Sequence, residues 1–384
     1  MSSTEADDPP ATPRGGMAMH LTRRFRFAAL VAAAAVAATA APAHAAPGAL
    51  SRAHTAGRVQ SGPDLVRYTW PGVYFEGRFR GTGVGVVLDD PHNDYDVQVD
   101  GTTVATLVTP GRTTHRITGL TDAEHRVRLV KRTESPWAAG AFGGFTAEPG
   151  GRLLAKPQAR HRRIEFIGDS LTAGYGNTST KRDCSANGGV ARNTNADLAF
   201  GPLTARALGA DYRVNAQSGL GMVRNYNGGD PGVTFRTYYD RVLQHLDESR
   251  RGHDGWRPQL VVIGLGTNDF STAINPGEPW TAESLVTAYR TAYHGFLDRL
   301  RHRYGPGTTI VVGATAAGGT TAFADAAERV VRERNARGDD RVRYWYYDDP
   351  KLDRLGCDWH FSLHDHRVIA GLLTGHLAGL RLPW

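Results

Sequence analysis

The chain has 384 residues, 45 Lys and Arg against 38 Asp and Glu for a formal charge of +7, and 40% hydrophobic residues. That excludes a polytopic membrane protein, which needs several apolar runs of about 20 residues, and without a basic stripe or a known module the mild positive excess does not mark a nucleic-acid binder. The length accommodates about two domains, and 46 Gly with 20 Pro, about 17% of the chain against a usual ~12%, point to a loop-rich fold containing β structure.

The most apolar stretch lies near the start. Arg23-Arg24-Phe25-Arg26 precedes a run from Phe27 to Ala41 and then Ala43-His44-Ala45. A basic n-region, an h-region too short to span a bilayer comfortably and a small-residue cleavage pattern together predict a secretory signal peptide, cut after Ala45, within a leader covering 1–45. An uncleaved anchor helix is the alternative. Export implies an extracellular protein with no stable membrane association after cleavage. Two cysteines remain, Cys184 and Cys357. An even count in an oxidising compartment points to one bridge, the alternative being two buried free thiols.

From about Asp64 to Phe145, period-2 segments alternate with turn residues. They include Val73–Phe79, Val84–Leu88, Tyr95–Val99, Thr102–Ala105 and His125–Val130. Asp100-Gly101 between two such runs is a strong tight-hairpin signal. Short strands at regular spacing predict a β-sandwich over 46–155. Beyond Pro149-Gly150-Gly151 the pattern changes. Apolar runs at Ile164–Ile167, Tyr212–Ala216, Leu260–Ile263, Thr309–Val312 and Val342–Tyr347 alternate with helix-length stretches near Asp197–Leu208, Phe235–Leu246, Ala282–Arg303, Ala322–Asn335 and Leu363–Leu380. This predicts a parallel sheet covered on both faces over 156–384, with function at the carboxyl ends of its strands.

Polar residues and glycines concentrate at those ends. The first run delivers Gly168-Asp169-Ser170-Leu171, the second Gln217-Ser218-Gly219-Leu220-Gly221, and the third Gly266-Thr267-Asn268-Asp269. A Ser at a strand exit beside free amides suits a nucleophile. A glycine amide and a neutral Asn side chain suit a developing oxyanion. After the last strand, Gly356-Cys357-Asp358-Trp359-His360 places a His where it can fold back to Ser170, with a nearby carboxylate to hold its tautomer. Singly, these signals are weak: a capping serine, two tight turns and one histidine of fifteen. Their force lies in the order Ser, Gly, Asn, His at successive strand ends.

That ordered set resembles the SGNH, or GDSL, hydrolases. More narrowly, the chain is similar to carbohydrate esterase family 2, whose local sequences have counterparts in Gly174-Tyr175-Gly176-Asn177, Ser218–Tyr226 and Cys357–His360. The resemblance implies an all-β jelly-roll domain before a three-layer α/β/α SGNH domain with a parallel sheet. It also implies acetyl-ester hydrolysis on acetylated polysaccharides or oligosaccharides such as xylan. Ser170 would be the nucleophile, His360 the base, and Ser170, Gly219 and Asn268 the oxyanion donors, with no metal and no cofactor. One departure bears on the mechanism. The broad SGNH pattern has Asp three residues before His, a position held here by Cys357. Asp358 would then orient His360 through its carboxylate or through its backbone carbonyl. Trp359 is read as a sugar-stacking residue, with a core tryptophan as the alternative. A bridge between Cys184 and Cys357 would brace the histidine loop. His364 and His366, with His360 and Asp365, could be read as a metal cluster, but they open a helix without a convincing ligand spacing and are read as solvated. A GDSL-type lipase or general short-chain esterase would use the same four residues, and a catalytically silent carbohydrate-binding protein would use none of them.

Overall fold

A computed structural model describes residues 48–246 and 255–384; the expected leader lies outside them. Among the described residues no helix is long and apolar enough to cross a membrane.

The period-2 segments form two antiparallel sheets. One runs His54–Ala56, Tyr74–Gly81, Ala123–Lys131, Asp94–Val99, Thr102–Val108 in spatial order, and the other Gln60–Ser61, Val66–Tyr68, Gly140–Ala147, Val84–Asp90, Gly111–Ile117. The hairpin signal holds: Val99 pairs with Thr102 across Asp100 and Gly101, whose φ values of 50° and 86° suit a two-residue turn that needs left-handed backbone at both positions. Phe75, Phe79, Val97, Val127 and Leu129 from the first sheet meet Val86, Leu88, Phe142 and Phe145 from the second. The Phe75 and Phe142 rings stack with centroids 4.1 Å apart.

Part of the other face of the first sheet is covered by the second domain. Strand alternation turns Tyr74, Glu76 and Arg128 away from the sandwich core, and these residues contact the second domain. The Tyr74 hydroxyl donates to Asp211 at 2.7 Å, Arg128 grips Asp197 with two bonds of 2.9 Å, and Arg160 binds both Glu76 and Asp211. Alternation thus serves two interfaces at once. Removing one member of such a buried pair costs about 3–5 kcal/mol, because the partner charge is stranded.

The five apolar runs form a parallel sheet in the order Asp211–Ala216, Arg163–Gly168, Leu260–Gly264, Thr309–Ala314, Val342–Tyr346. Its strands read as continuous hydrophobic runs because both faces are covered. Ile164, Phe166, Val262 and Val311 pack with the helices Phe200–Ala207 and Leu363–Ala378. Ile167, Val261, Ile263, Ile310 and Val312 pack with Ala282–Tyr304 and Ala322–Ala336. The strand order reverses between the first strand and the third, so their carboxyl ends flank the crevice where such sheets bind ligands.

One expected helix is largely missing. Of Phe235–Leu246 only Phe235–Tyr238 is helical. The carbonyls that would accept the next intrahelical amides are claimed by the β domain instead. Arg58 Nη1 donates to Tyr239 O, and Trp70 Nε1 donates to Arg241 O at 3.2 Å. The His245 amide donates to Pro136 O. Tertiary hydrogen bonds have overridden helix propensity.

Candidate active site

The first strand ends at Gly168, and Asp169 turns the chain by accepting the Leu171 amide at 3.0 Å, which starts the short helix Ser170–Ala173. Asp169 is fully buried and, among the described residues, its Oδ2 has no partner; burial pushes its carboxyl up to about 7, opposed by the Leu171 bond. Ser170 follows at the strand exit, and its Oγ lies 2.8 Å from His360 Nε2. The fold closes their sequence separation of 190.

His360 is held from its other side. Nδ1 lies 3.0 Å from the Cys357 carbonyl oxygen and 3.2 Å from that of Asp358, so an Nδ1–H donated there leaves Nε2 free to accept the serine proton. The Asp358 carboxylate points elsewhere and accepts the Tyr175 hydroxyl at 2.9 Å. Of the two routes open in the sequence, the geometry thus uses backbone carbonyls. They are aimed by backbone in the left-handed region at Asp358 and Trp359, with φ of 51° and 61°. Burial lowers the His360 pKa below its ordinary value, against the raising effect of the two carbonyls. The imidazole is therefore neutral at pH 7, as a base must be.

Cys184 and Cys357 are joined, with Cα atoms 5.6 Å apart. The bridge ties the histidine loop to residues 182–184, and the Asp358 amide adds a bond of 2.8 Å to Arg182 O. Tyr175 lays its ring over the imidazole with centroids 4.2 Å apart. Trp359 is 66% exposed, so it is not a core tryptophan, and the Arg182 guanidinium sits 5.7 Å from its ring centroid.

The oxyanion candidates Gly219 and Asn268 follow the strands on either side of Arg163–Gly168. Gly219 has φ of 81°, and a Cβ there would meet nothing within 4 Å, so glycine is required by backbone conformation and not by crowding. Among the described residues, no protein acceptor takes the amide of Ser170 or of Gly219. Asn268 donates one Nδ2 hydrogen to Leu220 O at 2.9 Å, which fixes the flip of its amide and leaves the second hydrogen free. Asp269 is buried, its oxygens accepting the amides of Met222, Val223 and Arg224 at 2.8, 2.8 and 2.9 Å. Burial pushes its carboxyl up to about 6 against those bonds. Glu134 of the β domain accepts both the amide and the hydroxyl of Ser218.

Ser170, Gly219 and Asn268 thus follow three neighbouring strands, His360 reaches Ser170 on the loop after the edge strand, and the Asp358 side chain is left off the imidazole. His366 departs from the solvated reading. It is buried, its Nδ1 accepts the Phe200 amide at 3.1 Å, and burial pushes its pKa to about 3. Asp353, His364 and Asp365 bring one potential ligand atom each to within 4.8 Å of one another, a grouping other than the one weighed in the sequence. The Asp365 oxygens already accept the amides of Asp353, Arg354 and Ser362. Sequence reasoning missed Tyr175, Asp269 and Glu134 as supports. The first two sit inside the recognised motifs, whereas nothing in the sequence links Glu134 to the site.

The all-β domain ahead of a parallel-sheet domain, with Ser, Gly, Asn and His at its strand ends, defines an SGNH-type hydrolase. Comparison with known proteins narrows the class. The family profile described as carbohydrate esterase 2 N-terminal matches residues 55–157, and that of the GDSL-like lipase/acylhydrolase family matches 166–362. The chain is 39% identical over 337 residues to an acetylxylan esterase / glucomannan deacetylase of Cellvibrio japonicus, covering 86% of this chain and 92% of that protein. It is 33% identical to the cellulase/esterase CelE of Acetivibrio thermocellus, covering 84% of this chain but 39% of that longer protein. Among solved structures, a family two carbohydrate esterase from Clostridium thermocellum, in complex with cellohexaose, aligns with a TM-score of 0.75 at 31% identity, over 85% of this chain and 98% of that one. The chain belongs to carbohydrate esterase family 2 and is a carboxylic ester hydrolase.

Proposed function

We propose that the protein is a secreted serine esterase that removes acetyl groups from polysaccharides such as xylan or glucomannan. The observation that carries the mechanism is the 2.8 Å contact between Ser170 Oγ and His360 Nε2, with Nδ1 held by carbonyl oxygens. Ser170 Oγ attacks the acetyl carbonyl carbon while its proton passes to His360 Nε2. The Ser170 and Gly219 amides and the free Asn268 Nδ2 hydrogen receive the tetrahedral oxyanion. The imidazolium then protonates the departing sugar oxygen, leaving acetyl-Ser170. Water, deprotonated by His360, attacks that ester, and collapse returns the proton to Ser170 and releases acetate. Asp358 takes part through its carbonyl, while the exposed Trp359 offers an apolar face to a pyranose ring beside the bond to be cut.

Substrate class is supported by the named activity of the Cellvibrio japonicus relative and by the cellohexaose bound to the Clostridium thermocellum enzyme. Secretion rests on the leader over 1–45, and the division into a β domain over 46–155 and a hydrolase domain over 156–384 on the change of periodicity. The test is acetate release from acetylated xylan and acetylated glucomannan, compared with hydrolysis of long-chain acyl esters. Rapid acetate release lost in Ser170→Ala, by roughly 10⁴-fold or more, supports the reading. A preference for long acyl chains, or an active Ser170→Ala, contradicts it.

A further inference from the structure

We propose that Glu134, a residue of the β domain, is a positioning residue for the hydrolase site: it holds the peptide that presents the Gly219 oxyanion donor. The inference rests on the esterase reading above. Glu134 follows the strand Ala123–Lys131 and reaches across the domain interface. Its Oε1 accepts the Ser218 amide at 2.9 Å and its Oε2 accepts the Ser218 hydroxyl. Both hydrogen bonds that Ser218 donates thus end on one carboxylate. The direction of the Gly219 N–H is set by the peptide joining Ser218 to Gly219, so fixing Ser218 fixes the donor. On the far side of the glycine, Tyr226 N–H donates to Gly219 O at 2.9 Å. Gly219 packs against nothing at its Cβ position. Hydrogen bonds on either side, not packing, set its place.

A positioning group must itself be rigid, and the residues around Glu134 are. Thr133 Oγ1 accepts the Asp94 amide and donates to Asn93 Oδ1, both at 3.0 Å. Asn93 Nδ2 donates to Ser135 Oγ at 2.7 Å and to Asp90 Oδ2 at 2.8 Å. The Lys131 ammonium is buried and donates to Thr69 O at 3.0 Å and to Thr133 O. Glu134 therefore projects from a segment clamped to the sandwich on both sides. A negative charge near a developing oxyanion does not stabilise it. Reach, not charge, is what Glu134 contributes.

That distinction sets the test, made on the full chain with acetate release, kcat and KM, and thermal unfolding measured together. Glu134→Asp keeps the charge and withdraws the carboxylate by about 1.5 Å; it is expected to lower kcat about 10- to 100-fold with KM within about twofold, since misplacement of this size costs up to about 10² in rate. Glu134→Gln removes the charge but keeps an acceptor for the Ser218 amide and a donor for its hydroxyl; it is expected to stay within about fivefold of the unmodified enzyme. Wild-type kcat in a folded Glu134→Asp, or a Glu134→Gln as impaired as Glu134→Asp, overturns the proposal. Failure of the unmodified protein to release acetate would instead strike the esterase reading.

Discussion

The two walls of the site are held by opposite means. The histidine wall, Cys357–His360, must present a side chain, and it is fixed through backbone: two carbonyl oxygens on Nδ1, aimed by left-handed residues and pinned by the Cys184–Cys357 bridge. The glycine wall, Ser218–Asn225, must present a backbone amide, and it is fixed by side chains: Asp269 on three amides and Glu134 on Ser218. The magnitudes differ accordingly. Non-glycine residues at positive φ cost about 1–2 kcal/mol each, and a disulfide contributes about 2–4 kcal/mol, so the bridge roughly offsets the strain that aims the carbonyls. On the glycine wall, hydrogen bonds to charged groups contribute about 1.5–3 kcal/mol each, set against the burial of carboxylates that raises Asp269 to about 6. A loop that orients a base needs a fixed backbone acceptor; a loop that orients an amide needs side-chain acceptors of the right reach to hold its neighbours.

This contrast can be broken at either wall. The largest effect is expected on the glycine side. Asn268→Ala removes an oxyanion donor together with the Leu220 tie, and should lower kcat about 10²- to 10³-fold with KM little changed; a kcat within threefold would remove Asn268 from the reaction. On the histidine side, Cys184→Ser opens the bridge. Unfolding should come about 2–4 kcal/mol more easily, and kcat should drop by about tenfold as the Cys357 carbonyl loses its fixed place. Loss of stability with unchanged kcat would make the bridge a brace for the fold alone. The pH profile sharpens the same wall. His360 works as the neutral imidazole, and burial lowers its pKa from 6.5. Activity should therefore fall as the pH is lowered, with kcat/KM halved at a pH below 6.5. A midpoint above 6.5 would mean a carboxylate, not carbonyls, dominates the imidazole environment.

Much of this site was legible before any fold was known, for a physical reason. Parallel strands deliver their carboxyl-end loops to one edge, so Ser170, Gly219, Asn268 and His360 could be placed together from strand positions alone. The cysteine count likewise pointed to the bridge that the fold contains. What escaped were effects that depend on partners far away in sequence. Phe235–Leu246 has the apolar spacing of a helix, but Arg58 and Trp70 take its carbonyls. Alternating polar residues such as Glu76 and Arg128 look solvent-facing by period, yet pair across the domain interface. His366 opens a polar helical turn and is nonetheless buried against Phe200. Glu134 lies in a loop with no motif, and only the packing of two domains brings it to Ser218.

The smallest expected effect is also the most direct test of the central claim, that backbone carbonyls replace the acidic member of the triad. The measurement is kcat/KM for acetate release by Asp358→Ala. Where a carboxylate orients the histidine, losing it costs about 10⁴-fold in kcat. Here the variant keeps its carbonyl and the Cys357 carbonyl and loses the Tyr175 tie and the weaker effect of the carboxylate charge on His360, so kcat/KM should stay within about tenfold of the unmodified enzyme. A loss of 10³-fold or more, on the order seen for a true triad carboxylate, would contradict the account and return Asp358 to the imidazole.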